Sequence, residues 1–245
     1  MINNNFKVAN SKAIKELKNG CGYAVFSIER MDIFKKLRKN LFQALGVKKN
    51  MLDKVEDYRK YLSNLSNAEI NKLMIRLLSY NEISEMFVKS CPTLIKNLCG
   101  KKLFIQRRAH TTVKLPGKQQ LKTLPHYEMM SGISPFSYVI WAPLHDLDND
   151  DGGIYYLDKK RSLKIMKEEH KEGIVNGPKI LNMKINEKPA SMQFGQAIIF
   201  NPFIMHGNNN FNSDLARLAI NIRFQSYNKP LLQKNTEYLK YFELH

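Results

Sequence analysis

The stretch Leu124-Pro125-His126-Tyr127-Glu128 places an imidazole and a carboxylate two residues apart. In a strand or an extended segment, residues two apart point to the same side of the chain. The pair therefore predicts two metal ligands on one face. Because a histidine-x-glutamate pair also arises by chance, it indicates a metal site only when a third ligand is found elsewhere in the chain.

The best candidate for the third ligand is His206, in the stretch Asn201-Pro202-Phe203-Ile204-Met205-His206-Gly207. It follows an apolar run that is typical of a strand and precedes an Asn-rich turn. Two histidines and one carboxylate occupy one face of an octahedral ion and leave the other positions open. We therefore predict that His126, Glu128 and His206 hold a metal, a ligand set typical of non-haem Fe(II) oxygenases.

Residues 217–224 alternate strictly between polar and aliphatic side chains, which predicts a strand with one apolar face. The polar face carries Arg217, Ala219, Asn221 and Arg223. If that face lines a barrel, a fixed guanidinium lies near the metal and is suited to grip a dicarboxylate through two hydrogen bonds. We predict that Arg217 has this role, because it is closer to His206 in the sequence than Arg223.

This combination resembles the phytanoyl-CoA dioxygenase-like family of Fe(II)- and 2-oxoglutarate-dependent oxygenases. The similarity runs roughly over residues 100–227 and includes the His126-x-Glu128 pair, His206 and Arg217. The stretch Gly195-Gln196-Ala197-Ile198-Ile199-Phe200 is similar to the family's strand before the distal histidine. Residues 134–144 show a weaker likeness to oxygenases encoded among bacterial surface-carbohydrate genes.

The resemblance implies Fe(II) as cofactor, with 2-oxoglutarate and O₂ as cosubstrates. Arg217 would bind the distal carboxylate of 2-oxoglutarate, and Trp141 would lie beside it, although a lone strand tryptophan equally suits the core. The expected reaction hydroxylates or otherwise oxidises a small molecule. The first expectation is a carbohydrate or nucleotide-sugar intermediate of surface polysaccharide synthesis, and the second is a natural-product or acyl substrate.

Three further residues are candidates for the pocket: Gln106, Arg108 and Asn221. Gln106 and Arg108 alternate along the strand before the ligand motif, so they could reach the barrel mouth or face solvent. The remaining histidines lack motif context and are predicted to be surface or hydrogen-bonding residues: His110, His145, His170 and His245. Residues 148–152 are predicted to form an acidic turn, since a calcium loop needs a downstream glutamate that is missing.

Two departures from the family pattern stand out. Family members more often have aspartate where Glu128 stands, and a Pro-Gly-Ser-His element where residues 158–162 stand. A metal-binding jelly-roll protein without catalysis is therefore the alternative function. Residues 158–188 are highly charged and are predicted to form a loop.

The element patterns predict an α+β fold in one oxygenase domain over residues 1–245. Residues 1–100 are predicted to be mainly helical, with a strand at 22–28 and helices at 31–45 and 67–98, the latter broken near Cys91-Pro92. Residues 101–227 carry short strands separated by turn residues, the first of them at 103–112, which predicts a double-stranded β-helix (jelly roll). The N-terminal helices are predicted to pack on one face, and residues 228–245 to form a C-terminal tail.

The composition bears on the kind of partner the protein binds and on its location in the cell. The chain has 245 residues, 43% hydrophobic content and a net charge of +17. The positive charge is spread along the chain without a zinc finger or RNA-binding strand, which favours a lysine-rich surface or an anionic small-molecule substrate over nucleic acid. Three cysteines without paired spacing, no secretory signal and no membrane-spanning run predict a cytoplasmic protein. The oligomeric state stays open.

Overall fold

The computed structural model describes residues 4–51, 54–77, 80, 82–117, 125–171, 191–208, 211–231 and 239–245, without the side chains of 4–10 and 169–171. Within these ranges the helices are α1 (Asn4–Asn19), α2 (Met31–Ala44), α3 (Val55–Ser63), α4 (Asn67–Leu77), α5 (Glu82–Ser90), α6 (Pro92–Cys99) and α7 (Lys159–Lys171). Two short 3-10 helices span Lys49–Met51 and Glu128–Ser131. The strands are β1 (Tyr23–Ser27), β2 (Lys102–Gln106), β3 (His110–Lys114), β4 (Tyr138–Pro143), β5 (Ile154–Tyr156), β6 (Gln196–Phe200), β7 (His206–Asn208), β8 (Arg217–Ser226) and β9 (Leu239–Glu243).

An antiparallel sheet in the order β1-β6-β4-β8-β2-β9 forms the centre of the molecule. The ten-residue β8 has β4 along one edge, while β2 and β3 share the other. The predicted single strand over residues 103–112 is therefore wrong, because the chain bends at residues 107–109 and pairs twice with β8. A small second sheet pairs β5 with β7.

The two faces of the large sheet have different partners. Leu218, Ile220 and Ile222 of β8 belong to the core that the N-terminal helices cover. Ala219, on the other face, belongs to a second apolar cluster with Trp141 of β4 and Tyr156 of β5. The small sheet thus lies on the face opposite the N-terminal helices. An α+β fold with the N-terminal helices on one face of a sheet is confirmed.

The N-terminal helices are held by buried apolar residues at helical spacing and, at the start of α6, by a capping side chain from another part of the chain. Phe34, Leu37 and Leu41 of α2 are fully buried at helical spacing. The predicted break at Cys91-Pro92 is present, and the Glu29 carboxylate accepts hydrogen bonds of 2.9 Å from the N–H groups of Thr93 and Leu94, at the start of α6. A further break separates α4 from α5, and α1 and α3 are helices that the pattern did not predict.

Two segments differ from expectation in structure. The predicted loop over residues 158–188 is wrong for α7; Asp158 accepts a 2.8 Å hydrogen bond from the N–H of Arg161, and Ile165 and Met166 give the helix an apolar side. Residues 172–188 lie outside the described ranges. At the C-terminus, β9 pairs with β2, so the end of the predicted tail is an edge strand of the main sheet.

The described helices include none with the length and apolar content that crossing a membrane requires.

Candidate functional site

His126 and His206 meet through the backbone. Each donates its N–H to the carbonyl oxygen of the other at 2.9 Å, and their ring centroids lie 4.3 Å apart. Tyr127 is extended (φ −124°, ψ 148°), so His126 and the buried Glu128 point to the same side as predicted. One ligand atom from each of His126, Glu128 and His206 lies within 4.8 Å of the others. The structure therefore brings the predicted triad together.

The His206 ring is held in an orientation that suits a ligand. Its Nδ1 lies 2.9 Å from the Ile204 carbonyl oxygen and donates to it, which leaves Nε2 free, 3.6 Å from Oε1 of Glu128. The Phe200 ring packs against it with centroids 4.7 Å apart. Burial, with a smaller contribution from His126, lowers the pKa of His206 to about 4. The ring is therefore neutral at physiological pH, as metal coordination requires.

The Glu128 carboxylate is bound by Arg223. Oε2 accepts hydrogen bonds from Nε at 2.8 Å and Nη2 at 2.6 Å. Burial by itself raises the pKa of Glu128, but the charge of Arg223 and its hydrogen bond bring it below its usual range. The carboxylate is therefore ionised and has one oxygen directed toward His206.

The sequence analysis placed Arg217, rather than Arg223, near the metal because Arg217 is closer to His206 along the chain. Arg223 is the arginine that contacts Glu128. Separation from His206 along the sequence is a poor guide here, because the chain leaves the site after β7 and β8 returns across it in the antiparallel direction beside β4. The position of Arg217 is described separately below.

Two of the three predicted pocket residues, Gln106 and Asn221, lie around Arg223. Gln106 accepts hydrogen bonds from the backbone N–H (3.2 Å) and Nη1 (3.3 Å) of Arg223, and Asn221 accepts one from Nη1 at 3.2 Å. The amide of Asn221 also lies 3.2 Å from Nδ1 of His110. Arg108 is exposed in the bend after β2 and does not line this site. Gln106 and Asn221 therefore support an arginine.

Arg217 lies fully buried at the start of β8. Its Nη1 donates to the Gly152 carbonyl oxygen at 2.6 Å, whereas Nε and Nη2 have no hydrogen-bond partner among the described residues. The guanidinium carbon lies 5.8 Å from the Trp141 ring centroid, and Trp141 is also part of the apolar cluster. Burial lowers the pKa of Arg217 to about 10, so the group stays charged at neutral pH. Two buried, charged donors are thus left to bind something else.

Lys114 adds a second cation beside Arg217. The two residues are direct partners across the β3–β8 pair, and Lys114 is buried. Burial, and then the charge of Arg217, lowers the pKa of Lys114 to about 8. The sequence analysis missed this residue, although Lys114 follows His110 and Thr112 at the period-two spacing of one strand face.

A buried ion pair lies behind the two cations. Asp151, in the predicted acidic turn, pairs with Arg59 of α3, whose Nε donates to the Ala216 carbonyl oxygen at 2.9 Å. His145 accepts the N–H of Leu218 at 3.2 Å; burial, and then the charge of Arg59, lowers its pKa to about 4. In the described part of the chain, Arg59 and Arg217 thus share Asp151 as a buried carboxylate, and Lys114 lies beside Arg217 as a third buried cation. The excess of positive charge favours an anionic ligand.

The remaining histidines do not join the triad. His145 is buried and hydrogen-bonded, whereas His110 and His245 are exposed. The side chain of His170 lies outside the described residues. Residues 148–152 form the predicted turn, in which Asp148 accepts hydrogen bonds from the N–H groups of Asp150 (2.9 Å) and Asp151 (3.1 Å).

No protein-family model and no curated protein matches this chain. Solved structures do match it. The non-heme alpha ketoglutarate dependent epimerase SnoN from nogalamycin biosynthesis is 14% identical, with a TM-score of 0.53 over 90% of this chain and 84% of that one. The non-heme monooxygenase ThoJ in its apo form is 13% identical, with a TM-score of 0.53 over 87% and 76%. HygX from Streptomyces hygroscopicus, with nickel and 2-oxoglutarate bound, is 9% identical, with a TM-score of 0.51 over 89% and 87%.

The chain shares their fold. At these identities the likeness extends to the architecture alone, and the chemistry of this chain has to be argued from its own residues.

Proposed function

We propose that this chain is an Fe(II)- and 2-oxoglutarate-dependent oxygenase, similar to the phytanoyl-CoA dioxygenase-like family, that oxidises a small molecule. The observation that carries the proposal is that two sites lie along one face of β8, one where Arg223 contacts Glu128 and one at Arg217. His126, Glu128 and His206 form a cluster of metal-binding groups, and Arg217 has two buried donors without a described partner. The reaction needs a metal site and a dicarboxylate site together.

The triad fits a metal ion in donor type and in spacing. Donors at adjacent positions of an octahedral ion with bonds of about 2.1 Å lie about 3 Å apart. Nε2 of His206 and Oε1 of Glu128 are 3.6 Å apart, so a small side-chain movement would let both bind one ion. Bound Fe(II) would activate O₂, a reaction that amino-acid side chains cannot perform. The protein contributes a neutral histidine, an ionised carboxylate and a fixed geometry.

The cationic pocket fits the distal carboxylate of 2-oxoglutarate. Nε and Nη2 of Arg217 would donate to it, and the Lys114 ammonium would add a third, charge-assisted contact. Ala219 follows Arg217 on the same face of β8, and its small side chain leaves room toward the triad. Trp141 and the apolar cluster around it would exclude water and strengthen the interaction between the charges.

The finer architecture belongs to the same proposal. Antiparallel bridges join His126 to His206, the first residue of β7, and Leu147 to Met192. These contacts support a double-stranded β-helix in which the β5–β7 sheet forms the second face, within one domain over residues 1–245. The pocket for both ligands would lie between the two sheets.

The substrate proposed here is an anionic carbohydrate or nucleotide-sugar intermediate of surface polysaccharide synthesis, oxidised in the cytoplasm. The net charge of +17 supports an anionic substrate, because a positive surface raises the local concentration of anions. Nucleic acid is not proposed, since the charge is spread along the chain.

Anaerobic Fe(II) titration tests the metal site. We expect one ion per chain, loss of binding in His126→Ala and His206→Ala, and strong weakening in Glu128→Ala, because too few protein donors remain. His245→Ala is the matched control, since this histidine is exposed and outside the cluster. Wild-type affinity in all three cluster variants would show that the triad is wrong. Succinate formation from 2-oxoglutarate with iron and ascorbate separates the oxygenase from a non-catalytic metal-binding protein.

A further inference from the structure

The two oxygens of Glu128 have different surroundings. Oε1 lies 3.6 Å from Nε2 of His206, within the cluster of metal-binding groups. Oε2 is occupied by Nε and Nη2 of Arg223, at 2.8 Å and 2.6 Å. The Glu128 side chain is 4% exposed and that of Arg223 17%, so water competes little for this contact. One carboxylate therefore faces the metal position with one oxygen and an arginine with the other.

Arg223 is itself fixed in place. Gln106 accepts from its backbone N–H and its Nη1, and Asn221 accepts from the same Nη1. The guanidinium thus has partners on both of its edges, one formed by neutral side chains and the other by Glu128. Because the guanidinium is planar and its Nη1 is held by Gln106 and Asn221, its Nε and Nη2 donors are directed toward Glu128.

The length of Glu128 permits this double contact. Glutamate has one methylene more than the aspartate expected from the family pattern, and its carboxylate reaches both His206 and Arg223. A carboxylate with both oxygens free can bind an ion through two oxygens and fill an additional coordination position. The longer side chain of Glu128 therefore allows Arg223 to occupy the oxygen that does not face the metal position.

We infer that Arg223 is a positioning residue that holds Glu128 as a one-oxygen ligand and so keeps three coordination positions open for the cosubstrates. The inference rests on the proposed metal site, and it assigns Gln106 and Asn221 to the support of Arg223. A role limited to stabilising the fold would not change how many positions of the ion are open. The number of water molecules on a bound ion distinguishes these two roles.

Mn(II) alone, added to the full chain, measures that number. Free Mn(II) is quantified by electron paramagnetic resonance, and the relaxation rate of water protons is then expressed per bound ion. We expect Arg223→Gln to bind Mn(II) but to lower this relaxation by about one third, because the second oxygen of Glu128 replaces one of about three waters. Arg223→Lys should keep the wild-type value, since an ammonium also holds Oε2. Arg76→Gln, an exposed arginine on α4, is the charge-matched control and should match wild type.

Two results would overturn the inference. Arg223→Gln could keep the wild-type relaxation per bound ion, as Arg76→Gln should, or it could stay folded and lose Mn(II) binding altogether. Failure of the wild-type chain to bind Mn(II) is a different result, because it removes the metal site and with it the proposed function. Unfolding temperatures of the variants identify any loss of binding that is caused by misfolding.

Discussion

β8 carries two arginines on the same face, near opposite ends of the strand. One has hydrogen-bond partners for its guanidinium group, and the other leaves two donors without a described partner. Arg223 is partly exposed and has Glu128, Gln106 and Asn221 as hydrogen-bond partners. Arg217 is fully buried, yet Nε and Nη2 lack a partner in the described ranges. An unsatisfied buried donor costs about 1–3 kcal/mol, so a fold that keeps two of them is best explained by a ligand. The completed end suits an arginine that positions Glu128, and the incomplete end suits an arginine that binds a ligand.

The largest expected effect comes from breaking the ion pair behind the incomplete end. Asp151→Asn leaves Arg59 and Arg217 buried without their carboxylate, and loss of one partner of a buried pair lowers the free energy of unfolding by about 3–5 kcal/mol. Urea unfolding measures this change. Glu128→Gln is the matched change at the other end and should cost less, because Arg223 keeps its contacts with Gln106 and Asn221. Equal losses in both variants would contradict the difference between the ends.

The second prediction concerns the affinity for 2-oxoglutarate. Arg217→Ala should weaken binding to the Mn(II)-loaded protein by about 2 kcal/mol or more, roughly thirtyfold, because the distal carboxylate loses its two-donor partner. Arg217→Lys keeps the charge without the paired geometry and should lie between wild type and alanine. Calorimetric titration gives the dissociation constants. Normal affinity in Arg217→Ala together with loss in Arg223→Ala would reverse the assignment of the two arginines.

The smallest expected effect is a pH dependence from Lys114. Its pKa is lowered to about 8, so the free pocket loses a positive charge as the pH rises through that value. The affinity of wild type for 2-oxoglutarate should therefore fall by up to about tenfold between about pH 7 and about pH 9. Lys114→Met should bind more weakly at neutral pH but without this decline. A decline of the same size in both proteins would assign the titration to another group.

Stability should change in the opposite direction over the alkaline part of this range. The pKa of Lys114 is lower in the folded chain than the ordinary 10.5, so between about 8 and that value the unfolded chain binds more protons. The contribution of Lys114 to stability therefore rises with pH in this window. Comparing urea unfolding of wild type and Lys114→Met across the window checks the sign.

The sequence predicted what depends on local patterns. The alternation around Tyr127 and the strand-like run before His206 were sufficient to expect the triad on one face, and the spacing in α2 was sufficient to expect a helix. That the triad binds iron stays a prediction. The charged α7 was not predicted, because its apolar side is narrow and much of its sequence is lysine and glutamate.

Which strands pair, and in which register, could not be predicted from local sequence patterns. The contact between Arg223 and Glu128 depends on how β8 crosses the ligand segment, and the pairing of Lys114 with Arg217 depends on the register of β3 against β8. Register depends on the packing of whole strand faces and on turn geometry. Neither can be determined from the few residues next to a given position in the sequence. For this reason the sequence identified two candidate arginines and did not distinguish their surroundings.

The bond from Arg59 to the Ala216 carbonyl oxygen makes the helical layer part of the pocket. Arg59 belongs to α3, and with Lys114 and Arg217 it makes up the three buried cations near the proposed anion pocket, where it pairs with Asp151. Replacing Arg59 with an uncharged residue would keep every residue of the triad and Arg217, yet it would remove this cation and leave Asp151 to neutralise Arg217. The affinity of the pocket for anions would then fall although no residue in contact with the anion had changed. Sequence changes in the helices and in the pocket are therefore expected to occur together during evolution.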